Sequence, residues 1–306
     1  MVKRFRLSSF YLIYIAALAL ISAPVFFMWQ FTREPKIIFS NIKIEQGDTL
    51  VISLKNIWRT PNEAYLDKTP VLFFRWGFGK YLAVVGIHAN SKPRKIYFNA
   101  KLASGEELAR ELEILPRNFL VTKFIVPEPL AKKGIGASDI IKSVESGDQA
   151  TINSVFKISA RKRFFAEPFA WPLPEWIDVG GFGNLRQTLG GSVGARHLGT
   201  DLRAKTGDSV YSINAGFVRF AGKLKNFGNT VIIDHGFGIF SGYLHLSEIK
   251  TSLNAKIKRG ELIGLIGSTG EYSLAPHLHL TIKIGGASVD PKRFLDTLNR
   301  FLESPK

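Results

Sequence analysis

Pro276-His277-Leu278-His279-Leu280-Thr281-Ile282-Lys283-Ile284 is the stretch on which the fold of this chain turns. From His277 to Ile284 it reads as a β-strand. Successive strand side chains point to opposite faces, so His277 and His279 share a face, about 6.5–7 Å apart along the chain. One can bind a metal while the other reaches a water or substrate on it. A second cluster, His197-Leu198-Gly199-Thr200-Asp201, sets an imidazole and a carboxylate four residues apart. On a helix they would share a face. Gly199 and the following Leu202-Arg203-Ala204 suggest instead a loop entering a strand, and either geometry lets the two side chains converge. The two clusters together offer three imidazoles and a carboxylate, the ligand types a catalytic zinc prefers. Between them, His245 lies in Gly242-Tyr243-Leu244-His245-Leu246-Ser247.

Outward from these clusters, short strands continue with glycines between them. Ser209 to Ile213, Gly216 to Ala221, Thr230 to Asp234, Ile239 to His245 and Leu262 to Ile266 all read as strands. Such a pattern predicts a mainly antiparallel β domain over residues 166–306. The earlier half repeats the theme: Ile37 to Ile44, Thr49 to Leu54, Val71 to Trp76, Tyr81 to His88, Lys95 to Leu102 and Val121 to Val126. Glu106 to Leu115 fits a strand or a short helix. Short β runs with turn residues between them predict a β-sandwich-like domain over residues 36–129. It carries no catalytic spacing, and His88, alone after an apolar run, reads as structural. Residues 130–165 are more polar and read as a connector, with Ala137 to Val144 helical.

The chain has 306 residues, no cysteine, and 41 Lys+Arg against 25 Asp+Glu. Without cysteine there are no disulfides, no thiolate ligands and no cysteine nucleophile. The basic excess favours anionic partners, whether nucleic acid, lipid head groups or acidic wall polymers, and its scatter reads as a solvated surface rather than a dedicated site. Residues Phe10 to Phe31 carry no charge and follow Lys3, Arg4 and Arg6. As a helix they would span roughly 33 Å, enough to cross a bilayer. Trp29 and Phe31 stand at the outer end, and the preceding positive charge places the N-terminus in the cytoplasm. A cleaved signal peptide is the rival reading, but Pro24 follows its Ser22-Ala23 site, a poor cleavage position. The expectation is therefore a cytoplasmic tip and transmembrane anchor over residues 1–35, with 36–306 extracytoplasmic. Nucleic acid is then excluded as a partner.

The segments His197-x-Gly-x-Asp201, Tyr243-Leu244-His245-Leu246-Ser247 and Pro276-His277-Leu278-His279, in this order, resemble the lysostaphin-like, LytM-type zinc metallopeptidases. The resemblance covers roughly residues 166–302. It includes Gly181-Phe182-Gly183, Ala204 to Val210, Ala215-Gly216-Phe217-Val218, Gly228 to Gly236 and Gly264 to Gly270. The resemblance implies one zinc per chain, held by His197, Asp201 and His279, with His245 and His277 flanking the metal water as catalytic groups. Spacing alone does not choose His279 over His277 as the ligand. His235, in Asp234-His235-Gly236, also matches the family but reads as structural. Leu274-Ala275 stands where the family usually has Thr-Gly, and Ser241-Gly242 precedes Tyr243 where a bulkier residue is common. Both departures are expected at the cleft wall.

The resemblance implies a zinc endopeptidase acting on the peptide cross-links of peptidoglycan, and the N-terminal run makes it a membrane-anchored, extracytoplasmic one. The alternative is a catalytically weak or inactive relative that binds the wall or activates another wall hydrolase. An envelope protein is the partner expected for the N-terminal β domain.

Overall fold

The computed structural model describes residues 34–303 apart from 124, 158–159, 188–192, 272 and 274. The expected membrane segment, Phe10 to Phe31, lies outside the described residues. Among those described, no helix is long and apolar enough to cross a membrane. The chain is mainly β, with short helices between its two β-rich halves and one longer helix, Pro291–Leu302, at the C-terminal end.

The N-terminal half stacks two sheets. One runs in the order Lys36–Phe39, Thr49–Lys55, Lys80–Gly86, Phe74–Gly77. The other runs Lys43–Glu45, Glu107–Leu115, Arg94–Lys101, Glu63–Leu66, Thr69–Pro70. Leu50, Ile52 and Leu54 of the first meet Ile96, Phe98, Leu112 and Ile114 of the second in a common core. In Arg94–Lys101, buried Ile96, Phe98 and Ala100 alternate with exposed residues, as one-sided burial requires. Glu107–Leu115 is a strand, not a helix: it pairs with Arg94–Lys101 along nearly its whole length, and Glu111 meets Lys95 across the pair at 2.8 Å. The run from Ile37 to Ile44, which reads as one strand, is two. Phe39 pairs with Ile52 in one sheet and Ile44 with Ile114 in the other. The chain switches sheets between them, where Ser40 accepts the Val51 N–H on its hydroxyl.

The first sheet is buried on both faces, which explains why Thr49 to Leu54 is continuously buried rather than alternating. On its back face Val51, Phe74, Trp76 and Leu82 join Phe165, Phe169, Phe294 and Leu295 in the core of the C-terminal half. The last two belong to helix Pro291–Leu302, which also buries Leu298 and Leu302 along the same stripe. Asp290 caps this helix by accepting from the N–H groups of Lys292 and Arg293, and it pairs with Arg117 at 2.8 Å. Arg293 pairs with both Glu45 and Asp48 at 2.7 Å. Through these contacts the turn Glu45 to Asp48 docks on the start of the helix.

In the C-terminal half a large antiparallel sheet carries the order Ile177–Gly180, Thr200–Arg203, Leu278–Ile284, Ile239–Leu246, Gly228–Gly236, Gly216–Leu224, Lys256–Ile257. A small sheet of Ser209–Tyr211, Leu262–Leu265 and Glu248–Ile249 packs behind it. Leu202, Val231, Ile233, Tyr243, Leu278, Leu280 and Ile282 point into the core between them. The other face of the large sheet carries the alternate residues, among them His279, and is the face that holds the chemistry. The strand Val121–Lys123 pairs in parallel with Leu185–Gln187, so it bonds to this half of the chain. The connector is helical beyond Val144. Helix Ala137–Ser143 passes through a π-helical turn, Val144–Asp148, into helix Gln149–Phe156.

Candidate metal centre

Strands Thr200–Arg203 and Leu278–Ile284 are neighbours in a register that sets Asp201 directly opposite His279. The Asp201 Oδ1 to His279 Nδ1 distance is 2.8 Å. His197 enters from the loop before the first of these strands, tied by its N–H to Asn184 and by its carbonyl to the Gly183 N–H. Its Nε2 lies 3.1 Å from both Asp201 Oδ1 and His279 Nδ1. Three ligand atoms thus converge on one point. Gly199 is required for this: a Cβ there would collide with the His279 ring. Gly180 faces the Asp201 carboxylate just as closely.

The two further histidines close the other side. The His245 and His277 rings lie 4.8 Å apart, and His245 is 6.1 Å from the His279 ring. His277 Nε2 is 3.7 Å from Asp201 Oδ1. His277 forms a bridge with Gly267 just before the strand proper begins at Leu278. His245, near the end of Ile239–Leu246, has φ +67°. That left-handed conformation is rare for a residue with a side chain and is characteristic of functional sites.

Backbone carbonyls set which nitrogen each ring presents. His197 Nδ1 donates to Gly181 at 3.0 Å, His245 Nδ1 to Thr269 at 2.9 Å and His277 Nδ1 to Ala275 at 2.8 Å. A carbonyl can only accept, so each of these nitrogens carries a proton, and in the neutral ring the lone pair is then on Nε2. Gly181 and Thr269 were not read from the sequence as parts of the site, and Ala275 was expected only at the cleft wall. Their signal was present as Gly181-Phe182-Gly183 and as the Gly264 to Gly270 segment, but backbone carbonyls leave no side-chain chemistry to find.

Burial pulls the His279 imidazole down to about 4, although Asp201 opposes this, and pulls His245 down to about 3, helped by the nearby His277 and His279. Burial acts to raise the Asp201 carboxyl. The charge and hydrogen bond of His197, with His279, outweigh it and hold Asp201 well below the usual carboxylate range. Neutral imidazoles and an ionised carboxylate are the protonation states a metal needs of its ligands. Tetrahedral ligands at zinc–ligand lengths near 2.05 Å would stand about 3.3 Å apart, close to the spacing here. Among the described residues, His197, Asp201 and His279 form the one group of three or more His, Cys, Asp or Glu side chains able to hold a metal.

The other residues singled out lie elsewhere. His235 is fully buried in the core. Its Nδ1 donates to Ala215 and its Nε2 lies 2.8 Å from the Ser241 hydroxyl. Ser241, expected at the cleft wall, belongs to this buried network. Gly242 does share the face of His279, opposite Thr281, and a Cβ there would press on the Thr281 methyl. His88 stands in the N-terminal half, accepting the Asn90 N–H.

Residues 195–291, which contain all five site residues, match Peptidase family M23. The chain is 38% identical over 95 residues to the DD-carboxypeptidase/endopeptidase Mpg of Neisseria meningitidis, covering 31% of this chain and 22% of that protein. It is 38% identical over 96 residues to the peptidoglycan DD-endopeptidase ShyA of Vibrio cholerae, with the same coverage. It is 33% identical over 114 residues to the murein hydrolase activator NlpD of Escherichia coli, 37% of this chain and 29% of the relative. The chain thus spans less than a third of the length of each of these relatives. A crystal structure of a Pseudomonas aeruginosa protein assigned to peptidase M23 shares the fold over 82% of this chain and 93% of that one, with a TM-score of 0.57 at 24% identity. The chain carries a peptidase family M23 domain of the LytM type, and the five converging side chains lie within it.

Proposed function

We propose that this chain is a zinc endopeptidase that hydrolyses peptide cross-links of peptidoglycan. We further propose that the run Phe10 to Phe31 holds it in a bacterial cell membrane, with residues 36–306 on the outer side. The observation that carries the reading is the convergence of His197 Nε2, His279 Nδ1 and Asp201 Oδ1 within 3.1 Å of one another, with His245 and His277 alongside. Two imidazoles and a carboxylate with no thiolate are the donor set of a hydrolytic zinc site, one zinc per chain. When bound, zinc would polarise the scissile carbonyl and lower the pKa of a water molecule towards 7.

The remaining steps belong to the chain's own side chains. His245 and His277 each commit Nδ1–H to a carbonyl and so offer an Nε2 lone pair. One Nε2 accepts a proton from the attacking water as the new C–O bond forms. The same proton passes to the leaving nitrogen as the C–N bond breaks. In between, the imidazolium is a donor to the oxyanion of the tetrahedral intermediate. Burial keeps His245 neutral at neutral pH, with its Nε2 lone pair free.

The wall as substrate is supported by the names of two relatives, a DD-carboxypeptidase/endopeptidase and a peptidoglycan DD-endopeptidase. The excess of basic residues favours an anionic polymer. The N-terminal sandwich, which carries no catalytic constellation, positions the enzyme and offers a face to an envelope protein. A relative named as a murein hydrolase activator supports the second reading, a wall-binding protein that activates another hydrolase.

The full chain, purified in detergent, should contain about one zinc and release soluble muropeptides from purified sacculi. A chelator should stop the release and zinc should restore it. Full zinc occupancy without release would replace the enzyme by the activator. Detection of a mature N-terminus near Pro24, or extraction of the chain from membranes at alkaline pH, would remove the anchor.

A further inference from the structure

Outside the five site residues, the connector sets one buried anion behind the site. Asp148 ends the π-helical turn Val144–Asp148 and is 5% exposed. Its carboxylate accepts three successive backbone N–H groups: Lys225 at 3.2 Å, Asn226 at 2.6 Å and Phe227 at 3.1 Å. Consecutive amides turned towards one point make a nest for an anion, and here the anion is part of the chain. Ser143, one helical turn earlier, meets the Asn226 side-chain amide at 3.3 Å. Beyond the turn, Ile152, Val155 and Phe156 pack on Leu224, Ile232 and Phe240 and seat the connector on the sheet.

The loop so held leads directly to a site residue. The Phe227 carbonyl accepts the His245 N–H at 3.0 Å. His245 needs that fixing. Its φ of +67° is a strained conformation for a residue with a side chain and survives only where the surroundings impose it. Thr269 supplies the rest, bonding the His245 carbonyl through its N–H and the imidazole through its carbonyl. The Thr269 hydroxyl in turn accepts from Asn229, just past the same loop.

We infer that Asp148 is a positioning residue for His245: its carboxylate fixes the loop Lys225 to Phe227, whose last carbonyl sets the backbone from which the imidazole reaches the reacting peptide. Asp148 lies in the connector, outside residues 195–291, so the site depends on a segment beyond the family domain. The inference rests on the proposed role of His245 in hydrolysis.

The experiment uses the full chain with Asp148→Ala and Asp148→Asn. It reads zinc content, kcat and KM on a cross-linked muropeptide, and amide hydrogen exchange at residues 225–228 and 245. Asp148→Ala should keep its zinc and hold KM within about twofold while kcat falls about 10²-fold, the usual effect of a displacement near 1 Å at a reacting group. Exchange should quicken at the loop and at His245 together. Asp148→Asn keeps one acceptor oxygen and should fall between, and it carries the test if the alanine variant does not fold. In a His245→Ala background the Asp148 substitutions should add little, because the imidazole they displace is gone. An equal further loss in that background, an unchanged His245 exchange rate, or a rise in kcat would overturn the inference. A wild-type chain that cleaves no peptide would sink the enzyme reading instead, and the exchange rates would still decide whether Asp148 fixes His245.

Discussion

Replacing His279 by alanine will remove both the zinc and the hydrolysis, whereas His277→Ala and His245→Ala will keep the zinc and lose about 10²- to 10³-fold in kcat. The difference follows from which nitrogen each ring turns inward. His279 presents Nδ1, 2.8 Å from Asp201 and 3.1 Å from His197, so its removal deletes one of three converging donors. The ring is partly buried and set against Gly199. His277 and His245 present Nε2 beside the cluster, with Nδ1 donating to the carbonyls of Ala275 and Thr269. In the proposed hydrolysis they would act on protons and on charge that develops during the reaction, so their loss should appear in kcat and scarcely in metal content. The two losses should be less than additive, since both groups serve one intermediate. Zinc analysis and cleavage rates on the three single variants and the His245/His277 double variant decide the matter. Zinc loss in His277→Ala equal to that in His279→Ala would collapse the distinction, as would near-normal turnover in His277→Ala.

The positions of the site residues were legible in the sequence because each sits in a short segment with its own local signal. His277 and His279 share a face because they are two apart, and the register puts Asp201 opposite the second of them. The division of roles proposed for them came from the family resemblance and was not legible in their spacing. It depends on ring orientation, set by carbonyls of residues 181, 269 and 275 that lie 16, 24 and 2 residues away from the histidines they hold. The mainly β character could be read from strand and turn residues. The sheet switch between Phe39 and Ile44 could not, because pairing with Ile52 or with Ile114 is a choice between distant partners. Nor was the second buried face of Thr49–Lys55 visible, since an apolar run looks the same whether one or two layers cover it. The connector read as polar beyond Val144 because its buried anchor, Asp148, is itself a charged residue satisfied by backbone amides.

His235 gives the protein a pH-sensitive store of stability away from the site. It is fully buried, edge-on to Phe169 at 5.4 Å between ring centres. Nδ1–H donates to the Ala215 carbonyl, so Nε2 must accept, and the Ser241 hydroxyl is its donor at 2.8 Å. The Tyr243 hydroxyl, 3.0 Å from Ser241, can then donate to Ser241 while it receives the Ile213 N–H at 2.9 Å. This chain of bonds is complete with a neutral imidazole. Burial pulls His235 down to about 4, from the ordinary 6.5 that it recovers on unfolding. The sign follows from proton uptake. Above pH 6.5 neither state binds the proton and the contribution is present in full. As pH falls from 6.5 towards 4 the unfolded chain binds it first, and stability is lost through that window. Below about 4 the native state binds it too and the loss levels off, having reached roughly 3 kcal/mol. His279 and His245 move in the same direction but belong to the site, so the measurement must isolate His235. His235→Asn keeps an N–H that can face Ala215 and has nothing to titrate. Urea unfolding of wild type and variant from pH 7.5 to pH 4.5 should show the variant less stable at neutral pH but with a flatter decline. The gap should narrow by roughly 3 kcal/mol across the window, while terms shared by both proteins cancel. Parallel curves for the two proteins would mean that His235 carries its proton as readily inside the fold as outside it.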